Sequence, residues 1–193
     1  MSKIIILNGG SCSGKSTIAK EICRQSGDKF VHLQVDKVGD FYGTIFPKGF
    51  KFCENEAGTE NHDDRLKGLF NNNRFARRRV VAGILLSTAI EVAEKDFNIV
   101  IDTSLDGPDA KDLANLYLDR LAKYNVKFIG IKCSLEERLK RLKTRTDNLF
   151  LTEEFIKMQE GLIESLSDFY DLKIDVSNIE SESIAKEIFE QYN

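Results

Sequence analysis

Eight consecutive residues near the start of the chain, Gly9-Gly10-Ser11-Cys12-Ser13-Gly14-Lys15-Ser16, have the types and spacing to hold a polyphosphate. They fit G-x-x-x-x-G-K-[ST], the P-loop pattern. Glycines let backbone N–H groups turn inward around phosphate oxygens. A helix starting directly after the loop adds partial positive charge at its N-terminus. In such a loop Lys15 reaches the β- and γ-phosphates and the Ser16 hydroxyl ligates Mg²⁺. Thr17 opens the following helix, so Gly9 through Thr17 form the candidate nucleotide-binding set.

Two acids stand where this chemistry needs them. Asp102 ends an apolar run, Ile99-Val100-Ile101, the position of an acid that holds Mg²⁺ through water, in preference to merely capping the next turn. Asp36 ends another short run and is placed to orient an acceptor hydroxyl and take its proton during phosphoryl transfer, in preference to forming an Asx-turn or an N-cap for the residues after it. Asp36-Lys37-Val38-Gly39 also fits a GTPase switch pattern, D-x-x-G, but on the wrong strand, and no Asn-Lys-x-Asp guanine motif accompanies it.

Arg138, Arg141, Lys143 and Arg145 form a basic stretch where a lid would close over a nucleotide. Arginine supplies forked donors to a transferring phosphoryl group. Arg141 and Arg145 are the expected phosphate contacts, whereas Arg138 and Lys143 read as a solvated helix face. Arg74, Arg77, Arg78 and Arg79 make a second cluster, read either as acceptor contacts or as a solvated patch.

These residues need a scaffold of alternating strands and helices. Ile4–Leu7, Phe30–Val35, Asn98–Asp102, Val126–Lys132 and Leu172–Val176 read as strands. Helices are expected from Thr17, over 74–95 with a buried apolar middle, over 109–123, and after Ser134, Thr152 and Ser177, each of these three a capping residue. This alternation means parallel strands with covering helices, and ligands in such a sheet bind beyond the carboxyl ends of the strands. The segment 37–73, rich in glycine and aromatics, reads as short helices and loops whose aromatics, Phe41 to Phe52, either line an acceptor pocket or join the core. The 193 residues make one domain, with a core over 1–36 and 74–193, an acceptor-binding insertion at about 37–73 and a lid at about 141–152.

The net charge of −3 argues against a general nucleic-acid binder. No apolar run approaches membrane-spanning length, and no signal peptide precedes the first strand. Cys12, Cys23, Cys53 and Cys133 form no C-x-x-C pair, and His32 and His62 sit in no zinc spacing. A cytoplasmic address with free thiols is the expectation.

With Ile5-Ile6-Leu7-Asn8-Gly9-Gly10-Ser11, the Val35-Asp36 pair, Ile99-Val100-Ile101-Asp102, Arg141-x-x-x-Arg145-x-Asp147 and Tyr170-Asp171-Leu172-x-Ile174-Asp175 in place, the chain resembles the chloramphenicol phosphotransferase-like branch of the P-loop kinases. The resemblance implies a three-layer, nucleoside-kinase-like α/β fold with a five-stranded parallel sheet and a helical lid. It implies ATP and Mg²⁺ as cosubstrates, a small-molecule alcohol as acceptor and Asp36 as catalytic base, with Lys15, Arg141 and Arg145 assisting. Three departures stand out. The family's acid pair after the third strand is Asp102-Thr103 here, no lid arginine stands near Asn148, and 37–73 shows no clear likeness. Two alternatives stay open. One is a kinase of nucleotides, nucleosides or sugar nucleotides of the zeta-toxin type. The other is an ATP-binding regulatory module with little transferase activity.

Overall fold

The computed structural model describes residues 2–27, 29–38, 72–145 and 151–192. Strand β1 (Lys3–Gly9) runs into the glycine loop and helix α1 (Lys15–Gln25). Then follow β2 (Phe30–Gln34), α2 (Asn72–Ala93), β3 (Asn98–Thr103), α3 (Ala110–Leu121), β4 (Asn125–Lys132), α4 (Leu135–Thr144), α5 (Glu153–Glu164), a 3₁₀ turn (Ser167–Phe169), β5 (Leu172–Asp175) and α6 (Ser181–Tyr192). The strands form one sheet in the order β2-β3-β1-β4-β5, every pairing parallel.

β1 is central because it can be buried on both faces. Its residues Ile4, Ile5, Ile6 and Leu7 are all buried from solvent, as a parallel strand covered by helices on both sides requires. Alternation then divides them. Ile4 and Ile6 join Ile99, Ile101 and Phe128 against Leu85 and Leu86 of α2 and Tyr117 of α3. Ile5 and Leu7 join Val100, Ile129 and Ile131 against Ile18 and Ile22 of α1 and Ile184 and Ile188 of α6. These two cores on either side of one sheet make the three layers. Each fully buried aliphatic side chain contributes about 1.5–3 kcal/mol.

Three local expectations change. β2 stops at Gln34, and Val35–Val38 turn helically. Val35 and Val38, three apart, both pack on the α2-side core, so helical spacing wins over alternation there. α2 buries one face only: Val81, Leu85, Leu86 and Ala89 are inside, while Val80 is 41% exposed. Ser177 does not cap the last helix. Its hydroxyl accepts from the Ser134 amide and donates to Asp175, and α6 begins at Ser181, where Glu180 accepts the first backbone bonds. Ser134 and Thr152 do cap, accepting from the Glu137 and Phe155 amides. The acceptor segment's aromatics, Cys53, His62 and residues 146–150 of the expected lid lie outside the described residues.

Asn8 ties the edge of the sheet together. Fully buried, it accepts from the Leu105 amide at 2.6 Å and donates to the Tyr170 hydroxyl at 2.7 Å. Those groups lie after β3 and before β5, on opposite sides of β1. Asn8→Ala leaves both without this partner, and the expected loss is about 1–3 kcal/mol of unfolding free energy, read from the midpoint of urea denaturation at unchanged m-value.

Candidate active site

The P-loop, the end of β2 and the end of β3 meet at the carboxyl edge of the sheet. Register fixes this: Leu7 and Gln34 both pair with Asp102, so the acid sits between the root of the loop and the last residue of β2.

Each motif glycine has its own reason. A Cβ on Gly9 would stand 2.5 Å from the Ile131 carbonyl oxygen of β4, and one on Gly10 would collide with the Arg138 guanidinium. Gly14 has φ 96° and Cys12 φ 63°. Left-handed residues that alternate with right-handed ones are how a loop turns successive N–H groups to one side. The same geometry turns carbonyls outward, where they need donors. Gly9 O accepts from the Ser104 hydroxyl at 3.1 Å. Gly10 O accepts from the Ser13 amide and from Lys15 Nζ at 3.0 Å. Ser11 O accepts from Arg138 Nε at 2.9 Å and Ser13 O from Arg141 Nη1 at 3.0 Å. Gly14 O accepts from the Thr17 and Ile18 amides as α1 begins.

Arg138, expected on a solvated face, is instead 2% exposed. Besides Ser11 it donates to the Gln159 side chain and the Ile156 carbonyl of α5 and pairs with Glu160. Arg141 lies at the loop, as its position suggests, but its fork holds carbonyls, those of Ser13 and Val176, while Nε pairs with Glu137 at 3.0 Å. Arg145 Nη1 is 4.0 Å from Cys12 Sγ. Lys143 is exposed as expected. Arg78 of the second basic cluster is also inward, pairing with Asp109 at 2.7 Å and Asp106 at 3.3 Å.

Asp102 is buried in a polar cluster. Gln34 Nε2 donates to the Ser16 hydroxyl at 3.1 Å and lies 3.4 Å from Asp102 Oδ2. His32 Nε2 lies 3.8 Å from the same oxygen, beyond hydrogen-bond range. Burial opposes the carboxylate's charge. The neighbouring His32, the Lys15 ammonium and the Ser16 hydroxyl outweigh it and hold the carboxyl below its ordinary pKa. Asp36 lies on the exposed helical turn two residues beyond the end of β2. Gln34, Gln159 and Asp106 escaped the sequence reading. Only Gln34 left a signal, a polar residue closing an apolar strand.

A phosphate group fits this loop on one further observation. The Ser13 hydroxyl is buried and has no hydrogen-bond partner, an orphaned polar group at the loop itself. A hydroxyl and a single carboxylate, Ser16 and Asp102, suit Mg²⁺, which keeps several waters of its own. No cluster of three or more metal-ligating side chains occurs among the described residues. No described helix is long and apolar enough to cross a membrane.

The model of the family described as "Chloramphenicol phosphotransferase-like protein" matches residues 2–193. The chain belongs to the chloramphenicol phosphotransferase-like family. It is thereby a P-loop kinase, an enzyme that transfers phosphate. Solved structures share the fold. A sugar kinase from Janibacter sp. aligns with TM-score 0.66 at 16% identity, covering 98% of this chain and 94% of that one. The APS kinase of Mycobacterium tuberculosis, in complex with AMPPNP and APS, aligns with TM-score 0.63 at 15% identity over 98% and 96%. Shikimate kinase from Acinetobacter baumannii, in complex with shikimate, aligns with TM-score 0.60 at 12% identity over 99% and 93%. No curated protein matches the sequence.

The Asp102 environment has a pH consequence. Its folded-state pKa is lowered, so the charged carboxylate contributes stability that is present above the unfolded value, about 3.9, and lost as pH falls through the folded value. Asp102→Asn removes this dependence. Between about pH 5 and pH 2.5 the wild type is expected to lose more unfolding free energy than the variant, read as converging urea midpoints across that range.

Proposed function

We propose that the chain transfers the γ-phosphoryl group of ATP to a hydroxyl of a small molecule. The observation that carries this reading is the placement of Asp36. The pairing of Gln34 with Asp102 brings the chain out of β2 beside the β3 acid, and Asp36 follows two residues later, at the sheet edge that holds the P-loop. An acid there is placed to orient and deprotonate an acceptor hydroxyl. A nucleotide-responsive module would need none.

In this reading the loop from Gly9 to Thr17 cradles the phosphates, the Ser11, Ser13 and Thr17 amides bracing it instead through Gln159, Gly10 and Gly14, and Lys15 balances the phosphate charge. Ser16 and Asp102 would hold Mg²⁺, which would supply positive charge to the phosphates. Asp36 accepts the acceptor's proton as its oxygen forms the bond to the γ-phosphorus, while the bond to the β–γ bridging oxygen breaks and ADP leaves. Arg141 and Arg145, already against the loop, offer charge to the transferring group. The segment 37–73, leading from Asp36 into α2, shapes the acceptor pocket within a single domain. The reaction is assigned to the cytoplasm, with neither nucleic acid nor membrane as partner.

A nucleotide-class acceptor is the second reading. The structural neighbour solved with AMPPNP holds APS, a nucleotide.

Asp36→Asn tests the assignment. Phosphoryl transfer is expected to fall by about 10²–10⁴-fold, while Mg·ATP affinity measured by calorimetry stays within about twofold of wild type, because Asp36 stands outside the phosphate loop. Transfer is read by product mass over chloramphenicol, aminoglycosides, nucleosides, nucleoside monophosphates and amino-sugar nucleotides. Full transfer by the variant overturns the role of Asp36. Binding of ATP without phosphorylation of any acceptor favours the regulatory module.

A further inference from the structure

We infer that Gln159 is a positioning residue for phosphoryl transfer, setting the first turn of the phosphate loop against the β3–α3 loop. The inference rests on the nucleotide-binding reading above but not on the identity of the acceptor.

Gln159, in the middle of α5, is 1% exposed, so all its bonding is internal. Its Oε1 accepts two hydrogen bonds, from the Ser11 amide at 2.8 Å and from Arg138 Nη2 at 2.8 Å. Its Nε2 donates to Asp106 Oδ2, beyond the end of β3. The other oxygen of Asp106 lies 3.3 Å from Arg78 Nη2 in α2, and Arg78 Nη1 bonds Asp109.

The surroundings of residue 159 ask for an acceptor on one side and a donor on the other. On one side stand two donors, an amide N–H and a guanidinium. On the other stands a carboxylate. A primary amide meets both demands, its oxygen accepting from the first pair while its nitrogen donates to the second. Glutamate would face Asp106 as a second carboxylate, and an apolar side chain would leave three buried polar groups without this partner. These demands also fix which end of the amide is oxygen.

Ser11 is the third residue of the P-loop motif, and its carbonyl is already held by Arg138. With Gln159 on its N–H, both polar groups of its backbone are fastened to side chains outside the loop. Through Asp106 the same amide reaches the loop that follows the strand carrying Asp102. Gln159 thus fixes the nucleotide side of the site relative to the β3 side, touching neither the phosphates nor Asp102.

A reciprocal exchange tests this. Gln159→Glu alone sets two carboxylates against each other. Adding Asp106→Asn restores one donor and one acceptor with the roles exchanged, keeps a side-chain carbonyl at position 106 for Arg78, and leaves net charge unchanged from wild type. The readout is the calorimetric Kd for Mg·AMPPNP of folded protein, held well below each variant's unfolding midpoint, a quantity that a role confined to stability does not move. Gln159→Glu and Gln159→Leu are each expected to weaken binding about tenfold, the equivalent of one lost buried hydrogen bond. The double variant Gln159→Glu/Asp106→Asn is expected to return to within about threefold of wild type, whereas Asp106→Asn does not rescue Gln159→Leu. Wild-type affinity in Gln159→Leu or Gln159→Glu, or a double variant no better than Gln159→Glu, overturns the inference and leaves the kinase reading standing. Failure of the wild-type protein to bind Mg·AMPPNP overturns the nucleotide reading and this inference together.

Discussion

A loop that turns its amide groups inward must leave its carbonyls outward, and buried carbonyls need donors. Much of the architecture around residues 9–14 answers that requirement. Ser104 reaches back from the end of β3, Lys15 folds over Gly10, and two guanidinium groups from α4 hold Ser11 and Ser13. The glycines belong to the same solution: Gly10 is bare because the Arg138 guanidinium packs where its Cβ would be. The loop's shape is therefore a property of the segment after β3 and of the helices after β4 as much as of its own sequence.

Electrostatics at the sheet edge follow from the central strands. The order β2-β3-β1-β4-β5 puts Asp102 next to β1, and hence within the field of the Lys15 ammonium. Burial alone would push that carboxyl toward neutrality. His32, Lys15 and Ser16 reverse the outcome, so a buried acid stays charged where a divalent cation would need it. Asp36, by contrast, stands on an exposed turn. Two carboxylates at one sheet edge are thus given different surroundings, which is how acids of the same chemistry take different roles.

The layers were legible in the sequence because strand and helix periods are strong local signals. Ile4–Leu7 and Ile99–Ile101 are short β-branched runs that read as buried strands, and a glycine loop between strand and helix left little choice of motif. What stayed hidden depends on partners distant in the chain. Nothing local separates Arg138 from Lys143 in a basic helix. The difference is that α5 and the loop close over one side of α4 and leave the other to water, so one arginine is buried and the lysine is not. Gln159 and Asp106, 53 residues apart, carry no spacing at all. The end of β2 is obscured for a nearer reason: Val35 continues the alternation of Val31 and Leu33 and also stands three before Val38, so extended and helical patterns compete until the α2-side core is known to lie beneath both valines.

α4 then has a double character that its charge pattern conceals. Arg138 and Arg141 sit three apart, on one side of the helix, and that side meets the loop at two carbonyls two residues apart, Ser11 and Ser13. Alternate carbonyls of the loop, like successive turns of the helix, thus offer matched spacing, and a guanidinium can serve each. An ammonium in place of Arg138 could not do so. Arg138 bonds Ser11 through Nε while its two terminal nitrogens engage Gln159, Ile156 and Glu160, a divergent fork that a single point charge does not provide. The basic stretch therefore holds the phosphate loop in shape before it offers charge to any phosphate. Its arginines matter first for where their donors point and only then for the sign of their charge.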